Sequence, residues 1–133
     1  MVKFAFKNIE ELNCTQIIQK LEINGICQFD QFKGKINSDA QQYQSEFGQV
    51  MLYIERDGNG QNLPSEKKKD ITPENEDIKE YEYRTKHLRI YAIKKKGGKI
   101  IILGGFKNRQ KKDIKRFRNI KNQLVNSKIF KNE

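Results

Sequence analysis

The sequence contains no tryptophan, two prolines, two cysteines and a single histidine, His87. No stretch approaches the roughly 18 consecutive apolar residues of a membrane-spanning helix, and lysines interrupt residues 1–7, where a secretory signal would be apolar. Cys14 and Cys27 lack the second pair that a zinc site requires, and they form no CxxC redox motif. We therefore expect a cytoplasmic protein with reduced thiols, no membrane partner, no metal and no small-molecule cofactor.

The length and composition limit the size of the core. With 133 residues, of which 35% are hydrophobic and 33% are charged, the chain can form one ordinary domain with a small core and a highly charged surface. We therefore predict a single domain over residues 1–133, with one functional site.

Acidic residues are scarce in the second half of the chain. Residues 1–66 carry 6 basic and 9 acidic side chains, whereas residues 67–133 carry 21 basic and 8 acidic ones. Within residues 84–121 there are 15 lysines and arginines and a single acid, Asp113. Such a field favours polyanions such as phosphate backbones, because binding releases their condensed counterions. The alternative is a solvated, lysine-rich surface in a chain that is rich in Lys, Asn and Ile.

The spacing of apolar residues predicts the elements of the first half. Alternation indicates a strand over residues 1–6, and Asn8 is a candidate N-cap for a helix that ends near residue 23, before an Asn-Gly pair. Residues 26–38 are compatible with an extended segment or a loop. A second helix is predicted from about residue 38 to residue 56. Residues 57–79 contain both prolines and predict a long, mobile connection.

The second half has a clearer pattern. Residues 80–84, 88–93 and 99–103 are three β-like runs with short polar links, and the glycines of the second link suit a tight hairpin. Residues 109–126 predict a final helix with Ile114, Phe117, Ile120 and Leu124 at helical spacing. The order β-α-α-β-β-β-α predicts an α+β fold, in which two N-terminal helices and a C-terminal helix accompany a small antiparallel sheet.

Strand geometry groups several polar side chains on one face of this sheet. Alternation places Glu82 with Arg84, and Arg89 with Tyr91, on the face opposite the core. A hairpin through residues 85–87 would bring the two arginines together on that exposed face. The chain order also places the residues just beyond the last strand at the same end of the sheet. The predicted concave, cationic surface consists of Arg84, Arg89, Lys107 and Arg109.

Three blocks of the second half resemble a known family when they are taken in order. They are YEYR at residues 81–84, HLRIY at residues 87–91 and IIILGGFKNRQKK at residues 100–112. Together they are similar to the motifs of the RelE/ParE superfamily of bacterial toxins, and particularly of its HigB- and RelE-like mRNA-cleaving branch. The resemblance covers about residues 79–120. The chain is longer than a minimal member of the family, with the excess in residues 26–40 and 57–79.

The resemblance implies the toxin of a type II toxin–antitoxin system, which inhibits translation as a ribosome-dependent mRNA endoribonuclease. Its implied partners are mRNA in the A site of the 70S ribosome and a cognate antitoxin protein that covers the basic surface. In the implied reaction the 2′-hydroxyl of the substrate attacks the adjacent phosphate, leaving a 2′,3′-cyclic phosphate and a 5′-hydroxyl. This reaction needs no metal, but it needs a base, an acid and cations for the developing charge.

The resemblance also suggests which residues carry these roles. Arg89 and Lys107 would stabilise the charge of the transition state, with Arg84 assisting. Tyr91 or His87 would act as base or acid, and histidine is the side-chain type that ordinarily exchanges protons near neutrality. The residues expected to bind RNA are Arg109, Lys111, Lys112 and Lys86.

Each assignment has a plainer alternative. His87 could be a polar turn residue, Glu82 and Arg84 a surface cross-strand pair, and Tyr91 a residue that stacks under the last helix. The whole chain could likewise be a gyrase poison like ParE, which shares the fold, or a non-catalytic basic module that binds RNA or the ribosome.

Overall fold

The computed structural model describes residues 2–130. Met1, the first residue of the predicted strand, and residues 131–133, the end of the predicted domain, lie outside this range. Among the described residues, no helix combines the length and the apolarity that crossing a membrane requires. The elements are β1 (Phe4–Asn8), β2 (Ile17–Ile23), α1 (Gln28–Asp39), α2 (Gln44–Gly58), β3 (Lys68–Asp70), β4 (Glu80–Arg84), β5 (Leu88–Lys95), β6 (Gly98–Phe106) and α3 (Gln110–Val125).

The sheet is larger than predicted and it is mixed. Its six strands lie in the order β1-β2-β6-β5-β4-β3. All neighbours are antiparallel except β2 and β6, which are parallel. This pair is possible because α1, α2 and three strands separate β2 from β6, which leaves ample chain for a crossover. The α+β class and the strands β4, β5 and β6 are confirmed, whereas the small, purely antiparallel sheet is wrong.

The predicted helix over residues 8–23 is wrong. Residues 17–23 form β2, which lies between β1 and β6. The spacing of Ile17 and Leu21 is four residues, an even number, so the two side chains share a face in a strand as well as in a helix. The intervening Ile18 is buried on the opposite face, in the cluster beneath α1 and α2. Because side chains on both faces of this segment are buried, a strand was favoured over a helix.

Residues 26–38, for which the sequence indicated an extended segment or a loop, form most of α1, so both alternatives are wrong. Phe29, Phe32 and Ile36 are buried, and their spacing of three and four residues is helical. The Cys27 thiol caps the helix by accepting a hydrogen bond from the backbone N–H of Asp30. The second predicted helix is confirmed as α2, and the segment from residue 57 to residue 79 contains β3, which pairs with β4.

Helices cover both faces of the sheet. The helices α1 and α2 lie against Leu88, Ile90 and Ala92 of β5, the residues expected in the core. α3 lies on the opposite face, where Phe117 packs near Tyr91. The central strands are therefore buried on both sides, and the predicted exposed cationic face is wrong. Charged side chains of the predicted site reach solvent at the end of the sheet near the β4–β5 turn.

Candidate nucleic-acid interface

Several of the predicted site residues converge at the end of the sheet where β4 turns into β5. Arg84 and Arg89 are direct partners across these two strands. Just beyond β6, the backbone N–H of Lys107 donates to the carbonyl of His87 at 2.8 Å. The same end of the sheet therefore holds both arginines, the histidine and the lysine, as the chain order predicted.

A cationic cleft opens at this place. Its volume is about 420 Å³, and α2 forms one wall while the β4–β5 turn forms the other. Five of the lining residues are basic and one is acidic. The cationic cleft consists of Gln49, Tyr53, Glu66, Lys67, Arg84, Thr85, Lys86, Arg89 and Lys107. Lys86, predicted to bind RNA, belongs to it, and Lys67 of the Lys67–Lys69 run is an addition that the sequence did not predict.

An aromatic pocket adjoins the cationic cleft and shares Lys107 with it. The pocket has a volume of about 540 Å³ and is lined by Tyr43, His87, Phe106, Lys107 and Asn108. The ring of Tyr43 lies 5.1 Å from that of His87 and 5.5 Å from that of Phe106, between centroids. Rings with accessible faces next to cations can stack bases while the cations bind phosphates. The two spaces together suit a single-stranded nucleic acid.

Glu46 of α2 holds His87 in place. Its Oε2 lies 3.0 Å from His87 Nδ1, and its Oε1 accepts hydrogen bonds from the His87 backbone N–H and the Thr85 hydroxyl. Burial alone would raise the pKa of Glu46, but these hydrogen bonds outweigh it and lower the pKa. Because Nδ1 is engaged, Nε2 is the ring nitrogen left for proton exchange. The sequence did not predict Glu46, because 41 residues separate it from His87.

Arg89 is buried, contrary to prediction. Its side chain is 4% exposed, and Nη1 donates to the carbonyls of Thr85 and Leu88. Burial, followed by the charge of Arg84, lowers the pKa of Arg89. Its guanidinium thus stabilises the β4–β5 turn at the floor of the cationic cleft. The cations that solvent reaches around it are Lys67, Arg84, Lys86 and Lys107.

Glu82 lies beneath both arginines. This fully buried carboxylate places Oε1 3.0 Å from Arg84 Nε and 3.8 Å from Arg89 Nε. Neither contact is aligned as a hydrogen bond, so both are ion pairs. Its Oε2 accepts a hydrogen bond of 2.7 Å from Gln110 of α3. The alternative of a surface cross-strand pair is therefore wrong, because Glu82 is interior and orients the arginines.

Tyr91 lies outside the cleft. It is completely buried, and its ring centroid lies 5.5 Å from that of Phe117 in α3. Burial, followed by the charge of Glu82, raises the pKa of Tyr91 far above its ordinary value. The alternative of stacking under the last helix is confirmed, and a substrate in the cleft cannot contact this hydroxyl.

The remaining predicted RNA-binding residues extend along α3. Arg109 lines a separate cleft between α1 and α3, and Lys111 and Lys112 are exposed on the first turn of the helix. Residues 2–130 contain no group of three or more His, Cys, Asp or Glu side chains that could hold a metal ion. Comparison of the chain with protein-family models, curated proteins and solved structures gives no match.

Proposed function

We propose that the protein is a metal-independent endoribonuclease that cleaves single-stranded mRNA by attack of the substrate's 2′-hydroxyl. The observation that carries this proposal is the cationic cleft, which adjoins an aromatic pocket and a histidine held by a carboxylate. The sequence resemblance adds the biological setting: a toxin of the RelE/ParE type, acting in the cytoplasm on mRNA in the ribosomal A site and restrained by an antitoxin protein.

The side chains that line the site have separate chemical roles in this proposal. Lys107 and Arg84 bind the scissile phosphate and stabilise the charge that develops on it. His87 Nε2 takes the proton of the 2′-hydroxyl as the 2′-oxygen bonds to phosphorus and the bond to the 5′-oxygen breaks. The departing 5′-oxygen takes a proton from solvent water, and His87 then returns its own proton to solvent. The base stacks on the Tyr43 and Phe106 rings, which requires an unstacked, single-stranded substrate. The products are a 2′,3′-cyclic phosphate and a 5′-hydroxyl.

Arg89 and Glu46 are positioning residues in this scheme. Arg89 fixes the turn that carries Lys86 and His87, because its Nη1 binds two carbonyls of that segment. Glu46 fixes the ring of His87 through Nδ1 and through the backbone N–H of the same residue. We expect Glu46→Gln to lower the rate of cleavage while RNA affinity stays near that of wild type, since the ring is no longer held by a carboxylate. A parallel loss of cleavage and of RNA affinity would mean that Glu46 only supports the fold.

Induced expression in a bacterial host tests the proposal. Wild type should arrest growth and produce codon-phased cuts in mRNA, and Lys107→Ala should relieve both effects. The matched control is Lys96→Ala, which removes the same charge from the exposed β5–β6 turn at the other end of the sheet. This control should remain toxic. Intact mRNA and normal growth with well-expressed, folded wild type would overturn the proposal and leave a basic binding module.

Two measurements separate an enzyme from a module that binds RNA by charge alone. For an enzyme, Lys107→Ala should abolish cleavage while it weakens RNA binding only several-fold, because one of several cations is lost. For a charge-only module, the wild type should bind RNA and leave mRNA intact on translating ribosomes as well. In that case each lysine of the cationic cleft should contribute a similar share of the affinity.

A further inference from the structure

The cleft between α1 and α3 is a second cationic space that the proposed reaction does not use. It has a volume of about 330 Å³. Three cations line it: Lys35 from α1, and Arg109 and Arg116 on either side of the start of α3. All three are exposed. Within residues 2–130, none of them forms an ion pair. Their charge is therefore available to a ligand.

The one acid in this cleft opposes an anionic ligand only weakly. Asp113 turns one carboxylate oxygen onto the backbone of β6, where a Cβ added to Gly105 would lie 1.9 Å from Oδ2. That oxygen is buried and has no hydrogen-bond partner among the described residues. Burial raises the pKa of Asp113, although the charges of Arg109 and Arg116 oppose the rise. The open part of the cleft is thus dominated by its three cations.

The second cleft adjoins the aromatic pocket of the proposed active site. Phe106 lines both this cleft and the aromatic pocket, and Lys107 lines both the aromatic pocket and the cationic cleft. The three spaces therefore follow one another along the end of the sheet, and neighbouring spaces share a residue. Phosphate-binding cations lie at the two ends, with the aromatic rings between them. A strand with regularly spaced phosphates fits this order, whereas a compact ligand would use one space alone.

We propose that the cleft between α1 and α3 binds the backbone phosphates of nucleotides that flank the cleavage site, so that the protein binds an extended single strand of RNA. This inference rests on the proposed function and adds the substrate length to it. It assigns Lys35, Arg109 and Arg116 to substrate binding and gives them no part in the chemical step.

The test measures RNA affinity at several salt concentrations by fluorescence anisotropy. The probe is a single-stranded RNA of about ten nucleotides, which can cover the three spaces, and a trinucleotide serves for comparison. Arg109→Ala/Arg116→Ala should bind the longer RNA roughly 10- to 100-fold more weakly at low salt. Its slope of log affinity against log salt should fall by about 1.4, or 0.7 for each lost contact. The trinucleotide, which cannot reach both ends, should lose far less affinity.

Two further variants make the result decisive. Lys94→Ala/Lys96→Ala removes the same charge at the opposite end of the sheet, where both lysines are exposed, and should bind like wild type. Lys35→Ala should also weaken binding of the longer RNA. Because Lys35 lies on α1, this result could not come from a local distortion of α3. If Lys107→Ala weakens binding and the arginine variant matches the control, the second cleft is overturned and the proposed function stands. If wild type binds neither RNA, the assignment of the second cleft is overturned, and the mRNA cuts in expressing cells decide the proposed function separately.

Discussion

Basic residues serve opposite purposes in two regions of this protein. In the interior, cations are paired: Lys121, 3% exposed on its side chain, lies 2.7 Å from the fully buried Glu80, and Arg118 lies 2.9 Å from the same carboxylate. Likewise, Lys68 and Lys99 lie 2.7 and 3.1 Å from the buried Asp57. These contacts join α3 and α2 to the sheet. The charge count of the sequence therefore overstates the charge that a partner meets.

The cationic cleft is the contrasting region. Within residues 2–130, Lys67, Lys86 and Lys107 form no ion pair. Lys67 Nζ lies 5.2 Å from the centroid of the Tyr53 ring, but no carboxylate among the described residues neutralises any of the three lysines. The cations without a carboxylate partner, and not the total charge, therefore identify the surface for an anion. Substitutions in the interior should reduce stability, whereas substitutions in the cleft should reduce binding.

The largest expected effect is on stability, from Glu80→Ala. The substitution leaves the buried Lys121 with the carbonyl of Ile78 at 2.9 Å and the partly exposed Glu76 carboxylate at 3.9 Å, and breaking a buried ion pair costs up to about 3–5 kcal/mol. Urea unfolding at neutral pH measures the loss. Lys128→Ala, an exposed control just beyond α3, should stay within about 0.5 kcal/mol of wild type. A loss below about 1 kcal/mol for Glu80→Ala would remove the contrast between the regions.

A smaller effect should appear in acid and depend on Asp57. Burial alone would raise the pKa of Asp57, but hydrogen bonds from Lys68 and Tyr83 and the charge of Lys99 outweigh it and lower the pKa. The folded state then binds fewer protons than the unfolded state, so this part of the stability is present at neutral pH. It is lost as pH falls below about 4, through the lowered pKa.

Urea unfolding at a series of pH values checks the role of Asp57. Asp57→Asn should be less stable than wild type at neutral pH and should lose less stability between about pH 4 and pH 2. Asp39→Asn, at the exposed end of α1, should follow the wild-type curve. Parallel curves for wild type and Asp57→Asn would show that the buried pair is not linked to protonation.

The smallest effect on stability should come from Lys107→Ala. Because this side chain is exposed and unpaired, its loss should change the free energy of unfolding by less than about 0.5 kcal/mol. The same variant should lower the salt slope of single-stranded RNA binding by about 0.7, the share of one phosphate contact. A stability loss as large as that of Glu80→Ala would place Lys107 with the structural cations.

Much of the second half could be predicted from the sequence, but the burial of its polar face could not. The run Ile100–Leu103 is continuously apolar, which is typical of a strand covered on both faces. This apolar run in β6 therefore indicated that the neighbouring strand β5, with Arg89 and Tyr91, is also covered on both faces. What the sequence could not show is that α3 lies on the face of Arg89 and Tyr91, because the position of a helix against a sheet depends on contacts between distant residues.

The same limit applies to the site. Motif order predicted that Arg84, His87 and Lys107 lie together, because the three residues flank one hairpin end. Glu46 and Tyr43 lie at the start of α2, about forty positions before His87 in the sequence, and only the tertiary fold places them beside it. The buried Glu82 was also missed, since a carboxylate next to an arginine on a strand is usually a surface residue.

The chemistry of the RNA fragment ends tests whether the cationic cleft cleaves RNA through the 2′-hydroxyl. RNA from cells expressing wild type, Lys107→Ala or Lys96→Ala would be sequenced with a ligation that accepts only 2′,3′-cyclic phosphates. We predict codon-phased fragments with this end, and matching 5′-hydroxyl fragments, in wild type and Lys96→Ala but not in Lys107→Ala. The absence of such fragments in wild type, with folded protein present at the same level, would contradict the claim.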